Sequence, residues 1–130
     1  MSNQDLYKEA VYQAYQAYQS TYDGHIPFQD YSRFISNWKV HPVEFKDKVV
    51  GAVFTKANNV HVAVNGKWFP RKYIRNIILP MLDKYGSINT TVDIFNTSGL
   101  AWVQKLGFKL IDSNYKQYKL ILKKDYLCLS

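Results

Sequence analysis

The sequence is poor in the residues that build disulfides and metal sites, and it lacks long apolar segments. Its single cysteine, Cys128, has no partner within the chain, which indicates a reducing compartment. No apolar run approaches the ~20 residues that span a bilayer, and the first ten residues lack the charged-then-apolar layout of a signal peptide. No Ser/His/Asp set, HExxH motif, complete phosphate-binding loop or cluster of metal ligands is visible. We therefore expect a cytoplasmic protein without a metal site.

The size and the charge of the chain set further limits. A chain of 130 residues, of which 47% are hydrophobic, is long enough to bury a core, so we expect residues 1–130 to form a single domain. The net charge of +7 is high for this length and favours a polyanionic partner. Nucleic acid, a phosphorylated cofactor and an acidic protein all fit this charge, and charge alone does not choose among them.

The first third of the chain is predicted to form two aromatic-rich helices. The second helix, Phe28–Trp38, follows Pro27. The first helix, Gln4–Tyr22, carries a stripe of tyrosines at Tyr12, Tyr15, Tyr18 and Tyr22. This stripe fits packing against the domain with its hydroxyls at the edge, and it also fits a surface for a partner or ligand.

From Val40 onward the apolar period changes from that of a helix to that of a strand. Three strands are predicted, with turns at residues 47–48 and 58–59, and together they form an antiparallel meander. Their cores are Val43–Lys46, Val49–Phe54 and Val60–Val64.

A long amphipathic helix is predicted from Pro70 to the glycine at position 86. Pro80 falls inside it and is expected to kink it or to end its first segment. Apolar residues recur at helical spacing, at Ile74, Ile77, Ile78, Met81, Leu82 and Tyr85.

The next part of the chain is predicted to contain a strand, a helix N-cap residue, a short helix and a glycine that ends this helix. Thr91–Phe95 alternates as a strand, and Asn96 offers a side-chain acceptor to a new helix that ends at Gly107. Phe108–Ile111 and Tyr118–Lys123 are predicted as a final hairpin. The predicted order is therefore α-α-β-β-β-α-β-α-β-β.

This unit resembles the closing half of the GCN5-related N-acetyltransferase (GNAT) superfamily, in which an Asn, a small residue three positions later and a Leu-Gly-Phe ending often recur. The matching positions here are Asn96, Gly99 and Leu106-Gly107-Phe108. The stretch Trp68–Phe108 is similar to a phage family of GNAT-like proteins that includes the internal virion protein A of some podoviruses. The resemblance covers roughly the C-terminal two thirds of the chain. It implies an α+β fold with a mixed, mostly antiparallel sheet flanked by helices.

The resemblance also implies a site for acetyl-CoA. The backbone of Val62 and Val64 would pair with the pantetheine amides, and Asn96 would face the cofactor from the next strand end. The loop and the helix N-terminus after Val64 would hold the pyrophosphate, because free N–H groups and the helix dipole favour anions there. The side chains that add charge or contact at this place are Lys67, Trp68, Arg71 and Lys72.

Two features depart from the family pattern. Ile74 and Asn76 occupy positions where the family has small residues, so a bulky side chain is expected to obstruct tight pyrophosphate binding. Val103 stands where many active members have a tyrosine that protonates the leaving thiolate. His61 and Glu44 are the candidate general bases, and the catalytic residues stay unassigned.

Two hypotheses from different classes follow. The first is an acetyl-CoA-dependent N-acyltransferase with a divergent pyrophosphate loop, which acts on an amine or a protein acceptor. The second is a catalytically degenerate GNAT-like phage protein, located in the virion or the host cytoplasm, that binds a host factor or a polyanion.

Overall fold

The computed structural model describes residues 3–22, 24–64 and 71–126 of the chain. Its element order confirms the predicted sequence of helices and strands, with a short 3-10 turn at Lys124–Tyr126 added at the end. The helices and strands are α1 (Asn3–Thr21), α2 (Phe28–Phe34), β1 (Lys39–Phe45), β2 (Lys48–Lys56), β3 (Asn59–Val64), α3 (Arg71–Tyr85), β4 (Ser87–Asp93), α4 (Thr97–Leu106), β5 (Lys109–Ser113) and β6 (Gln117–Lys123).

The strands form one six-stranded sheet in the order β1-β2-β3-β4-β6-β5. The β1/β2, β4/β6 and β5/β6 pairs are antiparallel, whereas β3 and β4 run parallel. This is the mixed, mostly antiparallel sheet flanked by helices that the family resemblance implies. No described helix is both long enough and apolar enough to cross a membrane.

The chain divides into two compact units, and the division runs through β3. The first unit contains the residues up to Ala57 together with His61–Val64, and the second contains Asn58–Val60 and the residues from Arg71 onward.

The core of the first unit is built on small side chains of α1. Ala10, Ala14 and Ala17 are buried there. Because alanine adds little bulk, the helix backbone comes close to the sheet, and the tyrosine stripe lies beside this contact. Within the stripe, Tyr15 and Tyr18 are half-buried, and the Tyr15 hydroxyl donates to the carbonyl of Ile26 at 2.6 Å.

Helix α2 is shorter than the predicted Phe28–Trp38. It ends at Phe34, whose side chain is 59% exposed, while Tyr31 and Ile35 are buried. Ser36 explains the early end, because its hydroxyl donates to the carbonyl of Arg33 and so competes with continued helix formation.

Two turns and one strand also differ in position from the prediction. The turns between β1 and β2 and between β2 and β3 fall one residue earlier, at residues 46–47 and 57–58. Strand β4 covers Ser87–Asp93, so Ile94 and Phe95 belong to the turn that follows it. The prediction from the sequence missed the first residues of β4 because polar residues alternate there with the buried ones. The buried face of β4 carries Ile88, Thr90 and Val92.

The core of the second unit lies between its helices and strands β4 and β6. Helix α3 buries Ile74, Ile78 and Leu82, as its periodicity predicts. Pro80 does not end this helix, which continues to Tyr85. The opposing strand residues and those of α4 are Ile88, Val92, Val103, Leu106, Leu120 and Leu122.

Candidate functional site

The predicted pyrophosphate site surrounds the start of α3. The helix begins at Arg71, its first turn contains no acidic residue, and Lys72 is exposed there. Lys67 and Trp68 lie outside the described residues. The described part of the site therefore provides one exposed cation at a helix N-terminus, an arrangement that favours an anion.

The strand that precedes this helix carries the predicted pantetheine contacts. Val62 and Val64 on β3 are half-buried, while the neighbouring Ala63 is buried. Both valines lie within the part of β3 that belongs to the first unit. Their assignment concerns backbone groups and stays a prediction.

One residue at the parallel junction of β3 and β4, Thr90, was missed by sequence reasoning. Asn59 is opposite Asn89, and the N–H of Asn89 donates to the carbonyl of Asn58 at 2.8 Å. The hydroxyl of Thr90 then donates to the carbonyl of Val60, also at 2.8 Å. Thr90 is only 8% exposed. Thr90 lies on the same face of β4 as Ile88 and Val92. This alternation in the sequence was the signal that could have predicted a buried hydroxyl.

Asn96 caps α4 as predicted. Its Oδ1 atom accepts the N–H of Gly99 at 3.0 Å and the hydroxyl of Ser98 at 3.3 Å. A Cβ atom at Gly99 would collide with the Asn96 side chain, so the Asn-x-x-Gly spacing serves this cap. Gly107 ends the helix with φ of 112°, a left-handed conformation that glycine adopts at low cost. The cofactor role of Asn96 stays a prediction.

One candidate base, His61, lies within an aromatic cluster of the first unit. Its Nε2 atom is 3.3 Å from the hydroxyl of Tyr31, and its ring stacks on Phe54 with centroids 5.6 Å apart. The rings of Tyr18 and Phe34 contact it edge-on. The second candidate, Glu44, is exposed on β1 beside a β-bulge.

The electrostatics of this cluster keep both polar partners neutral. Burial lowers the pKa of His61 to about 4. Burial, reinforced by Tyr18, raises the pKa of Tyr31 above its usual range. At neutral pH both groups are therefore neutral, and which of them donates depends on the ring nitrogen of His61 that carries the proton. A group with a pKa this low is a weak base, so the cluster is poorly suited to take a proton from an amine.

Of the three residues that depart from the family pattern, Ile74 and Val103 are core positions, whereas Asn76 is exposed. Ile74 is 1% exposed and packs in the core, as the apolar spacing of α3 predicts, and its predicted obstruction of pyrophosphate binding stays a prediction. Val103 is also buried and supplies no proton donor. Among the described residues, no three His, Cys, Asp or Glu side chains converge as metal ligands.

Comparisons with known proteins give no match in sequence families: no family model matches the chain, and no curated protein matches it significantly. Solved structures do match. The PaiA N-acetyltransferase of Thermoplasma acidophilum, in complex with coenzyme A, aligns over 95% of both chains with a TM-score of 0.62 and 17% identity.

Two further solved structures are similar to this chain. The ribosomal-protein-S18-alanine N-acetyltransferase of Escherichia coli aligns over 100% of this chain and 93% of its own, with a TM-score of 0.63 and 14% identity. The N-acetyltransferase PseH of Campylobacter jejuni aligns over 95% and 92%, with a TM-score of 0.60 and 17% identity. This chain therefore has the fold of the GNAT N-acetyltransferases.

Proposed function

We propose that this protein is a member of the GNAT superfamily, forms one such domain over residues 1–130, and acts as an acetyl-CoA-dependent N-acyltransferase. The observation that carries the proposal is the fold shared over 95% of both chains with an N-acetyltransferase in complex with coenzyme A. Fold alone does not establish an activity, so the proposal also depends on the residues at the expected cofactor positions.

Acetyl-CoA would bind as a substrate along β3 and the start of α3. The backbone of Val62 and Val64 would take the amide groups of its extended arm. Lys67, Trp68, Arg71 and Lys72 would hold the pyrophosphate, where positive side chains add to the helix dipole. Asn96 would face the arm from the end of β4 while its Oδ1 atom caps α4.

The reaction would be direct attack of an amine on the thioester. The C–N bond forms, the C–S bond breaks, sulfur leaves as a thiolate, and the amine proton passes to water. A thiol ionises near pH 8.5, so its thiolate leaves without a strong acid, and Val103 at the tyrosine position is compatible with turnover. Because His61 is a weak base, we assign no catalytic base, and the amine would react in its deprotonated form.

Calorimetric titration with acetyl-CoA tests the proposal. We expect saturable binding by the intact protein. Lys72→Ala should weaken binding about tenfold, which corresponds to one charge-assisted hydrogen bond. Lys84→Ala is the matched control, because Lys84 is an exposed lysine in the last turn of the same helix. An intact protein that does not bind acetyl-CoA refutes the proposal.

The second candidate is a non-catalytic binding module of the same fold, as expected for a virion-associated or host-factor-binding phage protein. The charge distribution favours it, since residues 71–126 hold ten of the 17 Lys and Arg residues but four of the ten Asp and Glu residues. A labelled DNA that shifts on addition of the protein, with affinity falling steeply as salt rises, would support a polyanion-binding role. Absence of that shift would remove nucleic acid as the polyanion.

A further inference from the structure

The two most exposed large apolar side chains of the described residues lie at one end of the second unit. Tyr115 is 82% exposed and Phe95 is 73% exposed. Tyr115 lies in the turn between β5 and β6, and Phe95 lies in the turn between β4 and α4. The N–H of Ile94 donates to the carbonyl of Lys116 at 2.9 Å, so the two turns are bonded to each other directly beside both rings.

Hydrogen bonds hold the backbone of both turns. In the turn between β5 and β6, the Oδ1 atom of Asn114 accepts the N–H groups of Lys116 and Gln117 at 2.7 Å and 2.9 Å. In the other turn, the N–H of Asn96 donates to the carbonyl of Asp93 at 2.9 Å. The two rings therefore project from ordered backbone. Because burying an aromatic ring would contribute about 2 kcal/mol, two adjacent rings left exposed in this way indicate a contact surface.

Positive charge accompanies the exposed rings. Lys116 is exposed, and its Nζ atom lies 5.5 Å from the ring centroid of Tyr115. The surrounding residues 71–126 hold ten of the 17 Lys and Arg residues but four of the ten Asp and Glu residues. A purely apolar partner would make no use of the lysine, and a phosphate alone would make no use of the rings. A ligand with an anionic backbone and flat bases is complementary to both.

We propose that Phe95 and Tyr115 form a stacking platform for single-stranded nucleic acid, and that Lys116 contacts a phosphate of the bound strand. The inference rests on the second candidate function for the choice of a polyanion, and it adds the surface and the kind of nucleic acid. Unpaired bases stack on exposed aromatic rings, whereas the bases of a duplex are already stacked on one another. The platform therefore selects single strands and accepts many sequences.

The test measures the fluorescence anisotropy of a labelled oligothymidine of about 12 nucleotides during titration with the full chain. Tyr115→Ala and Phe95→Ala should each weaken binding about tenfold, because a stacked base loses its ring. Tyr115→Phe keeps the ring and should bind within about twofold of the wild type. Lys116→Ala should make the log–log decline of affinity with salt shallower by about 0.7. Both rings are exposed, so all these variants should keep the urea midpoint of the wild type.

Tyr85→Ala is the matched control variant. Tyr85 is 42% exposed, and the Nζ atom of Lys84 lies 5.2 Å from its ring centroid, so a tyrosine and a lysine are combined there as well. Tyr85 precedes β4, whereas Phe95 follows the other end of that strand. Its removal should change the affinity for oligothymidine less than about twofold. A duplex of the same length is the second control, and Tyr115→Ala should bind it within about twofold of the wild type.

The contrary outcomes are distinct from one another. Equal losses in Tyr115→Ala and Tyr85→Ala, or equal losses for single strand and duplex, would indicate a general effect and overturn the inference. Single-strand binding that neither Tyr115→Ala nor Phe95→Ala weakens would also overturn it, while the second candidate function would stand. A wild type that binds no oligonucleotide removes nucleic acid as the polyanion and the inference with it. Sedimentation with phosphatidylserine vesicles in that case, lost in Tyr115→Ala, would identify the rings as a membrane contact instead.

Discussion

Protonation of His61 should set much of the acid sensitivity of this fold. The pKa of His61 is lowered by burial from its ordinary value of 6.5 to about 4, so the folded protein holds this ring neutral while the unfolded chain protonates it. Between these two values the unfolded state binds more protons, and stability therefore falls as the pH is lowered through this window. The linkage relation gives a loss of about 2.5 kcal/mol between pH 7.5 and pH 4.5.

The assay is urea unfolding at these two pH values for the wild type and for His61→Phe. Phenylalanine suits the site because rings of Tyr18, Phe34 and Phe54 surround it. The variant also loses the hydrogen bond to Tyr31, but that cost applies at both pH values and cancels in the difference. We expect the pH-dependent loss to shrink by about 2.5 kcal/mol in His61→Phe.

A control accounts for the other titrating groups. Burial, with a smaller effect of Lys39, lowers the pKa of His41, which contributes acid sensitivity in the same direction. Only the difference between wild type and His61→Phe therefore isolates His61. If His61→Phe loses as much stability in acid as the wild type, the reasoning is wrong.

Three further changes test the packing and the cap. Gly51→Ala would place a Cβ atom against the backbone of Ala63, and we expect a loss of about 1–3 kcal/mol in urea unfolding; an unchanged midpoint would show that β2 and β3 are not this close. Asn96→Ala should lower stability by about 1 kcal/mol in thermal unfolding, with Asn96→Asp close to wild type, and equal losses in both would argue against capping. Ala14→Leu should overpack the α1 contact and cost about 1–3 kcal/mol, whereas Gln16→Leu on the exposed side should have little effect, and similar values for the two would contradict the assigned face of α1.

Local patterns in the sequence were sufficient for the order of the elements and for several boundaries. Asn96 and Gly107 mark the two ends of α4 because a side-chain acceptor and a left-handed residue act within one helical turn. The buried face of α3 follows from its apolar spacing for the same reason, since neighbours three and four residues apart share a helix face.

Other features depended on partners distant in the sequence. The tyrosine stripe of α1 is conspicuous, but the buried face is formed by Ala10, Ala14 and Ala17, because closeness to the sheet selects small side chains there.

The sequence by itself determined the type and order of the helices and strands and the capping of α4, because those signals act between residues a few positions apart. Only the tertiary structure decided that the pKa of His61 falls and that the Thr90 hydroxyl donates to the carbonyl of Val60. Both outcomes require groups thirty residues apart to meet, Tyr31 with His61 and Val60 with Thr90, and no local pattern encodes such a meeting.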